Sequence, residues 1–152
     1  MSNELVLRKA WREDVPAIVA MLADDALGAT RESLDDMTPY YKAYEKIAND
    51  QNNLILVADC GGDIVGTIQL NLLHGLSRKG ATRGQIEAVR VASGHRGKGH
   101  GEKIIRAAIE MARAKGCVLV QLTTDKTRKD AHRFYERLGF VATHEGMKLN
   151  LT

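Results

Sequence analysis

The chain has 152 residues, enough for one domain that buries a substantial core. Its apolar fraction of 44% is ordinary for a globular protein, and a net charge of +3 does not by itself indicate nucleic-acid binding. No apolar run is long enough to span a membrane, no signal peptide is recognisable, and Cys60 and Cys117 lack metal-ligand spacing. We therefore expect a single domain, residues 1–152, in the cytoplasm, with reduced thiols and no metal.

The first half of the chain is predicted to form a strand, two helices and a β-hairpin. Pro16 lies in the first turn of the first helix, where a missing N–H does no harm, and Thr38 can cap the second helix. The turn CGGD at 60–63 lies between two apolar runs, which is typical of a hairpin. These elements are a strand at 5–8, helices starting near 15 and 38, and strands at 53–59 and 64–73.

The second half is predicted to contain a parallel β–α–β unit. A strand at 85–91 precedes a helix at 102–115, and Gly116 ends this helix in a left-handed cap. The continuous apolar run at 117–124 is typical of a strand that is covered on both faces. A strand–helix–strand order of this kind makes the two strands parallel.

The C-terminal residues are predicted to complete the sheet. A last helix at 127–138 starts with a capping box formed by Thr127 and Asp130, and strands at 140–143 and 147–151 follow it. The predicted fold class is therefore mixed α/β (α+β), with a central, mostly antiparallel sheet, one parallel β–α–β crossover and flanking helices.

The segment VRVASGHRGKGHGEK, residues 89–103, combines four glycines with basic side chains at the start of a helix. Glycines let backbone N–H groups point into one concavity, and Arg96, Lys98 and Lys103 add positive charge to the helix dipole. The spacing fits neither a P-loop nor a dinucleotide fingerprint; the pattern is R-x-x-G-x-G at 96–101. The segment predicts a phosphate-binding cradle, with a plain glycine-rich turn and solvated basic residues as the alternative.

A second motif, AHRFYERLGF at 131–140, follows some thirty residues later. Together with R-x-x-G-x-G after the strand QIEAVRV, it resembles the GNAT superfamily of acyl-CoA-dependent N-acetyltransferases, and the resemblance covers the chain. It implies a GNAT-type acyltransferase fold and acetyl-CoA as co-substrate. One position departs from the family: many members have an asparagine where this chain has Arg128. The cofactor contact of that asparagine is not expected here, but an arginine could contact a phosphate instead.

The resemblance also implies which residues bind coenzyme A. The pantetheine arm is expected to pair with the backbone of the strand at 89–91, and the diphosphate is expected in the cradle at 96–101. The cofactor-binding residues implied in this way are Val89, Arg90, Val91, Arg96, Gly97, Lys98, Gly99, His100, Gly101, Arg128, Arg133 and Phe134.

Acetyl transfer to an amine needs a base, a donor to the oxyanion, and an acid for the leaving thiolate. The resemblance implies Tyr135 as the acid, with packing of its ring as the alternative. Glu87 is the candidate base, because burial in an apolar strand would raise the pKa of its carboxyl group. The alternative is an ion pair with Arg83 or Arg90. The backbone N–H of Val89 or Arg90 is the candidate oxyanion donor. His132 and His144 are weaker candidates, and Cys117 is predicted to be a core residue.

The acceptor is expected to be a primary amine of a small molecule, amino acid, peptide or protein. The acidic run at 24–36, with Tyr40, Tyr41 and Tyr44, could attract a cationic amine; the alternative is a solvated loop beside a helix that buries its tyrosines. The basic loop at 77–79 could instead contact an acidic group.

Two other functions compete with an enzyme that attacks acetyl-CoA directly with a bound amine. One is a non-catalytic acyl-CoA-binding or sensor module, which needs the cradle but no turnover. The other is nucleic-acid binding through Arg128, Lys129, Arg133 and Arg137, which lacks stacking aromatic residues nearby. No nucleic acid or membrane is expected as a partner, and a homodimer is possible.

Overall fold

The computed structural model describes residues 4–152, whose strands form one sheet in the order β1-β2-β3-β4-β5. One compact unit ends at Gln121, and a second comprises Leu122–Thr152. None of the described helices is long and apolar enough to cross a membrane. The strands are β1 (Leu5–Lys9), β2 (Asn53–Cys60), β3 (Asp63–His74), β4 (Thr82–Val91) and β5 (Cys117–Leu122). The helices are α1 (Val15–Ala23), α2 (Gly28–Arg31), α3 (Thr38–Ala48), the single turn α4 (Ser77–Gly80), α5 (His100–Ala114) and α6 (Lys129–Arg137).

The pairing of the strands confirms the predicted fold class. Strands β1 to β4 pair antiparallel, whereas β5 runs parallel to β4 after the α5 crossover. Gly61 and Gly62 form the turn of the β2–β3 hairpin with φ angles of 62° and 99°, which glycine adopts without strain. The mixed, mostly antiparallel sheet with one parallel β–α–β unit is therefore present as predicted.

Helix α5 packs against one face of the sheet through fully buried side chains. Ile104, Ile105 and Ala108 have no exposed surface, and burying an isoleucine contributes about 2 kcal/mol. A Cβ atom at Gly66 of β3 would lie 2.4 Å from Cδ1 of Ile104. Glycine at this position therefore allows the helix to approach the sheet closely.

Helices α1 and α3 lie on the opposite face. Successive residues of a strand point to opposite faces, so Thr67, next to Gly66, points towards α1 and α3. Ile18 of α1 packs there with Val57 and Ala10 in a buried cluster. The sheet is thus covered on both faces by helices of the first unit.

An ion-pair cluster joins β1 to the start of α1. The guanidinium of Arg8 donates to both carboxylate oxygens of Asp14, at 2.8 and 3.0 Å, and its Nε lies 3.2 Å from Oδ2 of Asp59. Burial alone would raise the pKa of Asp14, but hydrogen bonds from Arg8 and the Trp11 N–H outweigh burial and lower it. Asp59 is 51 residues from Arg8, and no local sequence pattern predicts this cluster.

Strand β5 differs from its prediction. The apolar run at 117–124 indicated a strand covered on both faces, but β5 is an edge strand and none of its residues is buried. Val118 is 62% exposed. The prediction was wrong because a continuous apolar run does not show whether another layer of the protein covers each face of the strand.

The predicted closing strands are also absent. Residues 138–152 contain no strand, and every residue from 141 onwards is exposed, so the strands expected at 140–143 and 147–151 are a wrong prediction. A strand requires a hydrogen-bonding partner, which an alternating apolar pattern cannot supply by itself.

Two predicted helix starts are shifted. Thr38 is the first residue of α3, with Met37 as the N-cap, and the Thr38 N–H donates to Oδ1 of Asp36 at 3.0 Å. Helix α6 begins at Lys129, and the hydroxyl of Thr127 donates to Asp125, so the predicted capping box does not form. In both cases an aspartate slightly upstream provides the local acceptor.

Candidate active site

A β-bulge interrupts β4 in the middle of the predicted site. The register with β3 shifts between the pairs Gln69–Glu87 and Thr67–Arg90, so that two residues of β4 lie opposite one residue of β3. Ala88 in this bulge has a φ of 52°, a left-handed conformation that is uncommon outside glycine. A bulge leaves one residue outside the hydrogen-bonding pattern of the two strands. The bulge in β4 therefore provides unpaired backbone groups next to Val89 and Arg90, whose N–H groups are the candidate oxyanion donors.

The side chain of Glu87 lies on the face covered by α1 and α3, because Glu87 is directly opposite Gln69. It is exposed, so the burial predicted from its apolar neighbours is wrong. The suggested ion pairs are also absent, since Arg83 and Arg90 have other partners. Among residues 4–152 no ion pair involves Glu87, which leaves this carboxylate open to a substrate.

The cradle at 96–101 has left-handed backbone at two glycines. Gly97 and Gly99 have φ angles of 78° and 79°, and no atom lies within 4 Å of the position that a Cβ would take at either. Helix α5 starts directly after Gly99, and no side chain caps it. The N–H groups of its first turn are therefore available to an anion, which the helix dipole also favours.

Of the four arginines predicted to bind coenzyme A, Arg90 and Arg96 contact the turn after α1. Nε of Arg96 donates to the Val91 carbonyl at 3.1 Å, and its Nη2 donates to the Asp24 carbonyl at 3.2 Å. The same Nη2 lies 3.7 Å from the Asp24 carboxylate, and Arg90 forms an ion pair with Asp25 at 3.1 Å. These contacts link the cradle and β4 to residues 24–25. The residues are far apart in the sequence, and no local pattern predicts such contacts.

His100 lies where the positive charge of the cradle is concentrated. Its Nδ1 is buried and has no hydrogen-bond partner among residues 4–152. Burial, followed by repulsion from Lys103, His95 and Lys98, lowers the pKa of His100 below 6.5. A bound diphosphate would supply negative charge to offset the repulsion among these basic groups. Its oxygens could also accept a hydrogen bond from the unpaired ring nitrogen.

The second unit contains the predicted acid, Tyr135, on α6. Its ring makes edge contacts with Phe134 and Phe140, at centroid distances of 5.2 and 5.7 Å. Arg133 forms an ion pair with Asp130 on the same helix. The capping-box spacing of Thr127 and Asp130 did not predict this ion pair, because it assigns Asp130 to the start of the helix.

The remaining candidates show no sign of catalytic activation. The N–H of Arg128 donates to the Asp125 carbonyl at 3.0 Å, and Nε2 of His132 lies 3.2 Å from the same oxygen. His144 is exposed. Burial raises the pKa of the Cys117 thiol, so the thiol is protonated at neutral pH and is not activated as a nucleophile. The residue is only partly buried, so it does not lie in the buried core as predicted. In the described part of the chain, no cluster of three or more histidine, cysteine or acidic residues could hold a metal ion.

Most carboxylates of the acidic run at 24–36 already have partners. Asp24 and Asp25 pair with the arginines of the cradle and β4. Glu32 accepts a hydrogen bond from the Tyr40 hydroxyl at 2.9 Å, and Asp36 accepts one from the backbone at the start of α3. The hypothesis that this run attracts a cationic amine therefore loses its main support.

An apolar cavity of about 170 Å³ lies between α1, α3 and the sheet. Leu22 of α1 and Ala88 of the bulge are among the residues that line it. Tyr40, Tyr44 and Ile47 also line it, so these three residues share one face of α3. The cavity joins residues from five elements, so no local sequence pattern could have predicted it.

Comparison with known sequences gives a consistent family. A model described as the acetyltransferase (GNAT) family matches residues 17–140. The aminoalkylphosphonate N-acetyltransferase of Salmonella typhimurium is 32% identical over 142 residues, which cover 91% of this chain and 86% of that protein. The glucosamine 6-phosphate N-acetyltransferase of Trypanosoma brucei brucei is 40% identical over 90 residues, 59% of each chain.

Solved structures show the same fold. A protein from Bacillus halodurans, described as a transcriptional regulator, has a TM-score of 0.94 at 44% identity, covering 97% of this chain and 100% of that chain. A putative acetyltransferase from Agrobacterium tumefaciens has a TM-score of 0.85 at 26% identity, covering 95% and 99%. The aminoglycoside N-acetyltransferase AAC(6')-Iy, solved with CoA, shares the fold at 14% identity, with a TM-score of 0.82 and coverage of 99% and 96%.

Proposed function

The chain belongs to the acetyltransferase (GNAT) family, and on this basis we propose that it transfers an acetyl group from acetyl-CoA to a primary amine. The resemblance found in the sequence is thereby confirmed, and the curated relatives are N-acetyltransferases. One observation carries the proposal: within residues 87–101, an exposed carboxylate, a bulged strand and a glycine cradle follow one another. The amine attacks directly while both substrates are bound.

The first unit is proposed to bind the donor with its backbone. The N–H groups at 97–101 hold the diphosphate, assisted by Lys98 and His100, and the bulged segment at 89–91 pairs with the pantetheine arm. Acetyl-CoA supplies an acyl group activated as a thioester. Arg96, through its bonds to Val91 and Asp24, fixes the cradle in place. From the family resemblance, Arg128, Arg133 and Phe134 of the second unit are proposed as further contacts.

The chemistry needs one proton removed from nitrogen and one delivered to sulfur. Glu87 is proposed to take the amine proton through a water molecule, since its carboxylate is exposed and has no ion pair in the described residues. The N–H of Val89 or Arg90 stabilises the oxyanion while the C–N bond forms and the C–S bond breaks. Tyr135 is proposed to protonate the leaving thiolate, because a phenol is protonated at neutral pH.

The proposal is tested by mixing the protein with acetyl-CoA and a panel of amines, amino acids and peptides. We expect free thiol and an acetylated product in equal amounts. Glu87→Gln and Tyr135→Phe should each lower kcat about 100-fold. The matched controls Glu110→Gln and Tyr41→Phe should not. Unchanged thiol release in Glu87→Gln and Tyr135→Phe would remove both catalytic assignments.

A non-catalytic acyl-CoA-binding module is the second candidate. The likeness to the Bacillus halodurans protein, which is described as a transcriptional regulator, favours it. Calorimetry separates the two functions: a sensor binds acetyl-CoA but acetylates no amine in the panel, whereas an enzyme does both. A protein that binds no acyl donor contradicts both candidates.

Assembly and location are also proposed. We propose that residues 1–152 work as one domain in the cytoplasm and that two copies form a homodimer. The C-terminal residues support a dimer, because the exposed Met147, Leu149 and Leu151 alternate with polar residues as in a strand that lacks a partner.

A further inference from the structure

We propose that the acceptor amine carries an uncharged apolar group, of about the size of a phenyl ring, which binds in the cavity between α1, α3 and the sheet. This inference rests on the proposed function and specifies its substrate class. The cavity is the binding site, and the amine projects from it towards Glu87.

The position of the cavity supports this assignment. Gln69 lines the cavity and lies directly opposite Glu87, so their side chains share one face of the sheet. Ala88 of the bulge also lines it. A ligand that fills the cavity therefore ends beside the proposed base and beside the strand segment proposed to hold the donor.

The polarity of the walls indicates an apolar group. The hydroxyl of Tyr40 donates to Glu32 at 2.9 Å and accepts from the Ser33 N–H, and the hydroxyl of Tyr44 donates to the Ala10 carbonyl at 3.3 Å. Both hydroxyl protons are therefore donated within the protein, and the two tyrosines line the cavity.

The side-chain donors of the remaining polar wall residues, Thr67 and Gln69, also have partners. The hydroxyl of Thr67 donates to the Leu56 carbonyl at 3.1 Å, and Nε2 of Gln69 lies 3.2 Å from Oδ1 of Asn71. None of the residues that line the cavity is charged. A charged group placed there would lose its hydration without gaining a partner, which is strongly unfavourable.

The volume sets the size of the group. The cavity measures about 170 Å³, close to the apolar cavity of about 150 Å³ that binds benzene in another protein. A phenyl or a branched alkyl group fits, whereas a sugar phosphate exceeds the space and carries charge. The names of two curated relatives specify an aminoalkylphosphonate and glucosamine 6-phosphate, so this chain is inferred to differ from them in its acceptor.

The test compares four amines: benzylamine, isobutylamine, ethylamine and 2-aminoethylphosphonate. We expect kcat/KM for benzylamine and isobutylamine to exceed that for ethylamine at least about tenfold, with the phosphonate poorest. A preference for the phosphonate, or equal values for all four amines, overturns the inference.

Narrowing the cavity provides a second measurement. Ala43 lines it from α3, and Ala43→Phe should lower the ratio of kcat/KM for benzylamine over ethylamine about tenfold. Ala48→Phe, on the same helix but outside the lining, is the matched control and should leave the ratio unchanged. A ratio that stays the same in Ala43→Phe contradicts the assignment.

Failure of the proposed function is recognised separately. If no amine is acetylated, calorimetry in the presence of CoA still measures binding of benzylamine against 2-aminoethylphosphonate. Binding of benzylamine that Ala43→Phe weakens about tenfold supports the apolar site even without turnover. No binding of benzylamine overturns the inference, whatever the protein does with acetyl-CoA.

Discussion

Ala88 is not a glycine, but its backbone is left-handed, and this conformation forms the bulge in β4. Its φ of 52° is stabilised by the surrounding strands and places two residues of β4 opposite one of β3. The residues on the two sides of the bulge have different environments: Glu87 is exposed, and Arg90 pairs with Asp25. An alanine gives no local signal of a left-handed conformation, so only the three-dimensional pairing shows the bulge.

His100 should make donor binding depend on pH. In the free protein its pKa lies below 6.5 because of burial and the neighbouring positive charges. A bound diphosphate favours the charged ring and raises this pKa, so binding takes up a proton and affinity rises as the pH falls through the interval between the two values. Calorimetry with CoA across this interval, in buffers of different ionisation enthalpy, measures the uptake.

The control for this prediction removes the titrating ring. His100→Gln should bind CoA with less proton uptake, whereas His144→Gln, at an exposed histidine of the second unit, should behave as the wild type. The phosphates of the ligand titrate equally in all three proteins, so the difference isolates His100. Equal uptake by wild type and His100→Gln would show that this ring does not sense the anion.

At the level of elements, the sequence predicted what local residues determine. The hairpin at Gly61–Gly62, the cap at Gly116 and the turn at Gly97 and Gly99 all depend on backbone angles that glycine allows, and these angles are present at all three places. The partners of Arg96 and Arg90 could not be predicted in this way. Arg96 bonds to Asp24, 72 residues away, and no local pattern marks such a pair.

The predicted start of the last helix was wrong because the expected capping residues have other partners. Thr127 and Asp130 have capping-box spacing, but each has another partner, Asp125 and Arg133 respectively. Strand prediction failed at 147–151 because an alternating pattern supplies one face and no neighbour. The sequence shows which contacts a segment can make, and competition among partners decides which of them form.

The short helix α2 is predicted to tolerate no side chain at Gly28. A Cβ there would lie 1.8 Å from the carbonyl oxygen of Leu22, so the backbone of α1 or α2 must move. We expect Gly28→Ala to lower the free energy of unfolding by about 2 kcal/mol, as measured by chemical denaturation.

Gly75→Ala is the control for Gly28→Ala, because no atom lies within 4 Å of a Cβ at Gly75. This variant should change the free energy of unfolding by less than about 0.5 kcal/mol. If the two variants unfold at the same denaturant concentration, the close approach of Gly28 to Leu22 is not a constraint on the fold.

For the whole molecule, the homodimer proposal can be tested at the C-terminal residues. Leu149 is 85% exposed and shares its alternating pattern with Met147 and Leu151. Leu149→Lys should shift a dimer towards monomer in sedimentation equilibrium, because a charge cannot be buried at an apolar interface without cost. Asn150→Lys, on the other side of the pattern, should have little effect. A wild type that sediments as a monomer at micromolar concentration contradicts the proposal.

The two ion pairs that follow α1 have a consequence for the catalytic cycle. Asp24 holds the arginine of the cradle and Asp25 holds that of the bulged strand, while the helix just before them lines the apolar cavity. We expect a shift of this short turn to displace both proposed substrate sites at once, so that binding of the acyl donor and binding of the acceptor amine are thermodynamically coupled.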